Sequence, residues 1–238
     1  MSKSSFPKTK REALKTREPQ YQECLDAVEA RGFERLGLRS NHSWHDDPKH
    51  LLFRLSRYKF VAKMLAGSDH VLEIGCGDAF GTRLVQQEVK KLSATDFDET
   101  FIADVEARMV ERWRFRVFFH DLLAGPIPGS FDGVFALDVL EHIKPDDESR
   151  FLKNALAPLT ANGAAVFGMP SLESQVHASP TSRAGHVNCK SLPEFRKTMQ
   201  RYFHYVFMFS MNDEVVHTGY HSMAHYLMAL CAGKKQGE

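Results

Sequence analysis

Four apolar runs of this chain each end in a carboxylate: Glu73, Asp96, Asp121 and Asp138. The first lies in Val71-Leu-Glu-Ile-Gly-Cys-Gly-Asp-Ala-Phe-Gly81, where the run turns through Gly75 and Gly77 before an apolar, helix-like segment. A strand feeding a glycine turn and then a helix is a nucleotide-cradling arrangement. A dinucleotide fingerprint would place its third glycine at position 80, which is Phe80 here. An acid before Gly-x-Gly suits a ligand that brings a positive charge and an amine to the turn. Asp96 closes Val89-Lys-Lys-Leu-Ser-Ala-Thr-Asp96, about 20 residues past the turn, where a carboxylate can accept both vicinal hydroxyls of a ribose. Arg114-Phe-Arg-Val-Phe-Phe-His-Asp121 and Phe131-Asp-Gly-Val-Phe-Ala-Leu-Asp138 repeat the pattern of a β-rich run and a terminal acid. Asp98 and Glu99 fit helix N-terminal positions equally well.

Glu73-Ile-Gly75-Cys-Gly77 resembles the first motif of the class I S-adenosylmethionine-dependent methyltransferases, and Asp138-Val-Leu-Glu141-His142 resembles their motif after the fourth strand. The chain departs mildly at Ala79, where the family often has glycine. The resemblance spans about residues 45–232. It implies an α/β, Rossmann-like, doubly wound sheet of seven strands with the last antiparallel, and N-terminal helices over the cofactor site. It also implies S-adenosylmethionine as cofactor, with Asp121 taking the adenine amine and the Asp138 turn beside the sulfonium. The expected cofactor site is Glu73, Gly75, Cys76, Gly77, Asp96, Phe97, Asp121, Leu122, Asp138, Val139 and His142. Cys76 is read as a small side chain fitted to the turn. In such a fold the N-terminal helices help form the acceptor pocket, which makes Trp44, Arg57 and Tyr58 candidate contacts.

The segment 171–186 reads as a long polar loop just past the fifth strand, an edge where open α/β sheets bind ligands. Methyl transfer needs an acceptor held in line and often a base, and neutral imidazole suits that task near neutral pH. His186 and His177 are the catalytic candidates, with Arg183 available to an anionic group. Between the last two strands, 210–224 is longer than a simple hairpin requires; its His217 and Tyr220 are candidate substrate contacts, as is Trp44. His217, His221 and His225 sit at helical spacing for a metal. Gly219 breaks that helix, so no metal site is expected. UbiG-like and sugar-type members of the family share the Asp138-Val-Leu-Glu-His pattern and a histidine-bearing loop. The expectation is therefore methylation of a small-molecule or carbohydrate acceptor, at oxygen, with a histidine base. The alternatives are a macromolecular (RNA or protein) methyltransferase and a non-catalytic binding subunit built on the cofactor fold.

The rest of the chain sets bounds on these readings. With 238 residues, of which 43% are hydrophobic and 26% charged, it has an ordinary globular composition. Its 31 basic and 30 acidic residues give a formal charge of +1, so no basic footprint for nucleic acid is present. Four cysteines without metal-ligand spacing fit a reducing compartment, and no stretch reads as a membrane span. A cytoplasmic monomer or homodimer is expected. Residues 1–17 read as a flexible polar tail, 18–66 as an N-terminal helical cap and 67–238 as the methyltransferase domain. Within them, helices are expected at 20–31, from Pro48, from Lys144 to near Gly163 and over 191–202.

Overall fold

The computed structural model describes residues 15–236; most of the expected N-terminal tail lies outside the described residues. Two units are distinguished, Met1–Arg35 and Leu36–Glu238. In the first, helix α1 (Gln22–Arg31) buries no residue. The second unit contains everything that follows, including α2 (Leu38–Asp46) and α3 (Pro48–Met64).

Its frame is a single sheet. The parallel strands are β1 (Val71–Ile74), β2 (Leu92–Asp96), β3 (Arg116–Phe119), β4 (Phe131–Leu137) and β5 (Leu159–Pro170). They are joined by β6 (Phe203–Asn212), β7 (Val215–His217) and β8 (Tyr226–Lys234). The spatial order is β3-β2-β1-β4-β5-β8-β6-β7, with β8 antiparallel to both β5 and β6. The sheet has eight strands, not the expected seven. The additional strand is β7, which folds back on the end of β6 through Ser210, Met211 and Asn212. That short return explains why the segment between the last two long strands is so extended.

Parallel strands covered on both faces must be apolar throughout. β1 is buried at every position and β4 at all but one. On one face, Phe151 and Leu152 of α6 (Pro145–Leu156) and Phe195 and Met199 of α8 (Leu192–Gln200) close the larger core. On the other, Val61 of α3, Val85 of α4 (Thr82–Gln86), and Ile102 and Val105 of α5 (Glu99–Arg108) close the second. Each such side chain contributes about 1.5–3 kcal/mol through removal from water.

Local signals set most helix ends. The Asp47 side chain accepts the Lys49 amide (3.2 Å), with Pro48 at the first helical position of α3. Asp98 caps α5 by accepting the Thr100 amide at 2.8 Å. The Ser191 amide donates to Glu194 Oε2 at 2.9 Å, the expected capping box of α8. α6 ends at Leu156, earlier than the expected Gly163, because Pro158 cannot continue the helical ladder. β5 begins at once, at Leu159. The expected polar loop is in part helical: a 3-10 turn at Glu173–His177 and α7 (Pro180–Gly185).

The carbonyls where α6 gives way to β5 are satisfied from β8. Lys234 Nζ donates to Leu156 O, Ala157 O and Leu159 O at 2.6, 3.2 and 3.0 Å. Lys234→Met keeps the apolar stem and removes all three bonds. It should lower unfolding free energy by about 1–3 kcal/mol, read as a reduced urea midpoint with unchanged m-value.

Candidate active site at the carboxyl ends of the strands

Parallel pairing brings the strand-end acids to one edge. Ile74 of β1 lies beside Thr95 of β2 and Ala136 of β4, and Asp96 lies beside Phe119 of β3. The β1 turn is held by its neighbours: the Gly75 and Cys76 amides donate to Thr95 O (2.8 and 3.0 Å), and the Gly77 amide donates to Asp96 Oδ2 (2.8 Å). Asp96 Oδ1 accepts the Asp98 amide at 3.0 Å. The turn is therefore held by the protein's own hydrogen bonds. Both glycines have left-handed backbone, with φ of 72° and 52°. A Cβ on Gly75 would fall 2.3 Å from Val139 Cγ2, whereas Gly77 faces open space. Ala79, at the position where the family often has glycine, also has positive φ (50°), a conformation that disfavours a Cβ.

Glu73 does not face solvent. It is 1% exposed; Tyr58 Oη donates to its Oε1 (2.7 Å) and Thr82 Oγ1 to its Oε2 (2.6 Å). Burial raises its pKa from an ordinary 4.5 to about 7, against the lowering effect of those two hydrogen bonds. Asp78, to which the sequence assigned no role, is equally structural. Its Oδ2 accepts the Ser40 amide of α2 at 2.6 Å, and its carbonyl accepts Arg108 Nη2 of α5 at 2.7 Å. The N-terminal helices are thereby fastened to the glycine turn at two points, Glu73 and Asp78.

Asp138 carries the third attachment. It has φ 58°, and both its oxygens lie against Arg57 Nη1 of α3, at 2.8 and 3.0 Å. The same guanidinium stacks 3.7 Å from the Tyr226 ring centre. Burial works against the charged carboxylate, yet Arg57 holds the Asp138 pKa below the usual range. Three residues on, Glu141 is 1% exposed with no hydrogen-bond partner for Oε2, and burial and the Asp138 charge push its pKa well up.

The loop after β5 is stitched to this turn, since Glu141 O accepts the Val187 and Asn188 amides at 2.8 and 3.0 Å. That places the His186 and His142 rings 5.3 Å apart. His142 Nδ1 bonds Gly185 O, and His186 Nδ1 bonds Gln175 Oε1, both at 2.8 Å. Burial and the neighbouring His142 hold His186 below the usual imidazole range.

The remaining expected residues divide. Asp121 stays at the strand edge and caps its own turn through the Leu123 amide (2.8 Å), with Leu122 buried beneath and Phe97 largely exposed nearby in sequence to Asp96. His177, Arg183, Trp44 and Tyr220 are exposed. His217 is committed to its own hairpin: its Nε2 pairs with Asn212 Oδ1 (2.8 Å) and its Nδ1 accepts the Gly219 amide (2.9 Å). Arg57 and Tyr58, candidate contacts from their place in a helix over the site, instead hold Asp138 and Glu73, whereas Thr82, Asp78, Gln175 and Tyr226 were not among the expected site residues. Their partners lie 9 to 38 residues away for Thr82, Gln175 and Asp78, beyond the reach of any local pattern.

A glycine turn after β1, an acid at the end of β2 and a capping helical layer on this strand order define a class I methyltransferase-type fold. Residues 71–163 match the family described as methyltransferase domain. A protein of Mycobacterium tuberculosis named a probable S-adenosylmethionine-dependent methyltransferase is 32% identical over 115 residues, covering 48% of this chain and 40% of that protein. The match thus spans well under half the length of that curated relative. Among solved structures, the N-methyltransferase NodS of Bradyrhizobium japonicum, in complex with S-adenosyl-L-homocysteine, superposes with a TM-score of 0.59 at 19% identity, over 79% of this chain and 89% of that one. The plantazolicin methyltransferase BpumL, in complex with a triazolic desmethylPZN analog and S-adenosyl-L-homocysteine, gives a TM-score of 0.62 at 12% identity, over 83% and 90%. Residues 71–163 thus match a methyltransferase domain, on the fold that these solved structures share.

Two substitutions test the architecture of the site. Arg57→Ala leaves a buried, left-handed Asp138 without its counter-charge and should cost about 3–5 kcal/mol, measured by chemical denaturation. Glu73→Gln should show a pH signature. Between pH 4.5 and about 7 the unfolded chain releases a proton that folded Glu73 keeps, so wild-type stability is eroded as pH rises through that window, by about 3 kcal/mol in full. The variant should therefore gain on wild type between pH 4.5 and 7 and hold a constant difference above it. A difference independent of pH would contradict the assignment.

Proposed function

We propose that this chain binds S-adenosylmethionine across the carboxyl ends of β1, β2 and β3 and methylates an oxygen of a small-molecule or carbohydrate-type acceptor. The observation that carries the reading is the preformed turn: Gly77 faces open space while its amide is anchored to Asp96. A ligand can lie on the backbone there without displacing a side chain. Asp96 keeps lone pairs for ribose hydroxyls, since each oxygen accepts only one amide. Asp121, at the adjoining strand end, is assigned the adenine amine, and Phe97 and Leu122 are assigned to the same part of the cofactor site. Gly75, Cys76, Val139 and His142 complete the expected wall of the cofactor site. Glu73 contributes by fixing the turn and α3 rather than by direct contact.

Bound S-adenosylmethionine supplies an electrophilic methyl on a sulfonium, which departs as a neutral thioether. The protein's part is to orient the acceptor and make it nucleophilic. His186, stitched to the Asp138–His142 turn, is the side chain proposed to take the acceptor hydroxyl proton, with the Gln175 amide fixing its ring. Arg183, His177, Trp44 and Tyr220 are exposed and available only if the acceptor itself draws them in. The four cysteines are all unpaired, which fits a reducing compartment such as the cytoplasm. Among the described residues, no helix is long and apolar enough to cross a membrane.

The first test is calorimetric titration with S-adenosylmethionine and S-adenosylhomocysteine. Asp96→Ala should weaken both by at least about tenfold, the value of a lost charge-assisted hydrogen bond. With an acceptor found by a screen beginning with nucleotide sugars, His186→Ala should lower kcat about 100-fold or more at unchanged cofactor affinity. Tight cofactor binding without turnover on any acceptor would favour a binding subunit instead.

A further inference from the structure

The side chains that meet at the turn after β4 hold more coordinating capacity than proton transfer uses. Glu141, His142 and His186 each offer one ligand atom, and those atoms lie within 4.8 Å of one another. They come from two separate stretches, the 3-10 turn Leu140–His142 and the residue just after α7, joined by the Val187 and Asn188 amides on Glu141 O.

Three features distinguish this cluster from a chance meeting. First, Glu141 is 1% exposed and its Oε2 has no partner. A buried carboxyl oxygen left unsatisfied is costly and calls for a cation or a donor. Arg57 gives its Nη1 to both oxygens of Asp138, not to Glu141.

Second, both imidazoles are oriented by oxygen acceptors. His142 Nδ1 meets a backbone carbonyl, Gly185 O, which can only accept, so the Nδ1 proton is fixed and Nε2 carries the lone pair. His142 Nε2 then lies 3.9 Å from Glu141 Oε1. His186 Nδ1 meets Gln175 Oε1, and the Gln175 amide is itself fixed because its Nε2 donates to Ser171 O at 3.0 Å. His186 Nε2 is thereby left bare as well. Ligand histidines are held in this way by a carbonyl or carboxylate behind the ring.

Third, the donor set is chemically coherent. Two neutral imidazoles and one carboxylate suit a divalent transition metal such as Zn²⁺, Mn²⁺ or Co²⁺ and are poorly matched to Mg²⁺. Ligand atoms around such an ion stand about 3–3.4 Å apart for bonds of about 2.0–2.2 Å, so each side chain closes by about an ångström or so from the present separations.

We propose that Glu141, His142 and His186 form a divalent transition-metal site with open coordination positions for oxygen ligands. The inference deepens the reading of this same site, on which it rests for its role. The His186 lone pair assigned above to a proton goes to the cation, and the cation makes an acceptor hydroxyl or bound water more acidic. The expectation of no metal arose from His217, His221 and His225. The pairing of His217 with Asn212 and Gly219 removes that ligand set, while the site proposed here joins residues that sequence spacing keeps 44 positions apart.

The test uses the full chain, stripped with a chelator, and Co²⁺ as the probe. Visible d–d absorption should saturate at one equivalent and be displaced by Zn²⁺ but not by millimolar Mg²⁺. His142→Ala and His186→Ala should each weaken binding by about 100-fold or more, and Gln175→Ala, which touches no ligand position, by about 10-fold. Circular dichroism melts establish that each variant is folded, and Gln175→Ala keeps the test decisive if a ligand variant is not. No saturable spectrum, or one that survives in the His142→Ala/His186→Ala double variant, overturns the proposal. Binding of S-adenosylhomocysteine in chelator reports on the methyltransferase reading separately. Its loss with Co²⁺ binding intact would sink that reading and leave the metal site standing.

Discussion

The ion pair between Arg57 and Asp138 is the constraint on which the site depends. Asp138 leaves β4 with left-handed backbone, a conformation that costs about 1–2 kcal/mol for a residue with a Cβ. The guanidinium of α3 compensates by meeting both carboxylate oxygens, and it is held in turn by stacking on Tyr226 of β8. One buried contact thus links the helical layer, the turn after the central strand and the antiparallel strand. It also decides which acid of the Asp138-Val-Leu-Glu141 stretch remains unpartnered. With Asp138 neutralised, Glu141 is left buried and unsatisfied beside two histidines.

The other strand-end acids follow a related logic, in which carboxylates organise loops before they meet a ligand. Asp96 anchors the Gly77 and Asp98 amides, Asp78 anchors α2, and Glu73 anchors α3 and Thr82. Backbone amides that would otherwise drift in a glycine-rich turn are held in place. A preformed turn lowers the ordering cost of binding. The price is a buried glutamate that resists ionisation, the kind of local cost expected at functional sites.

Much of the fold was legible because it rests on local pattern. Apolar runs ending in acids located β1 to β4. Pro48 after Asp47, and Ser191 with Glu194, located two helix starts through side-chain caps close in sequence. The strand-end acids were legible for the same reason. What escaped depends on contacts distant along the chain. Nothing near Arg57 announces a partner 81 residues away, nothing near Ser40 announces Asp78, and Gln175 reads as loop until it is seen behind His186. The 210–224 segment was recognised as too long for a hairpin, but a three-residue strand such as β7 is too short to have a period. His177 and His186 looked alike in sequence. They separate in space because only His186 is tied by the amides that follow it to the Glu141 carbonyl.

The strand-end edge is proposed as a cofactor site with the His142/His186 pair on its acceptor side. A crystal structure of the chain with S-adenosylhomocysteine addresses it most directly. The expected complex has the ribose on Asp96, the adenine toward Asp121 and the sulfur facing the Asp138–His142 turn. Product bound elsewhere, or bound with its sulfur turned away from that turn, would contradict it.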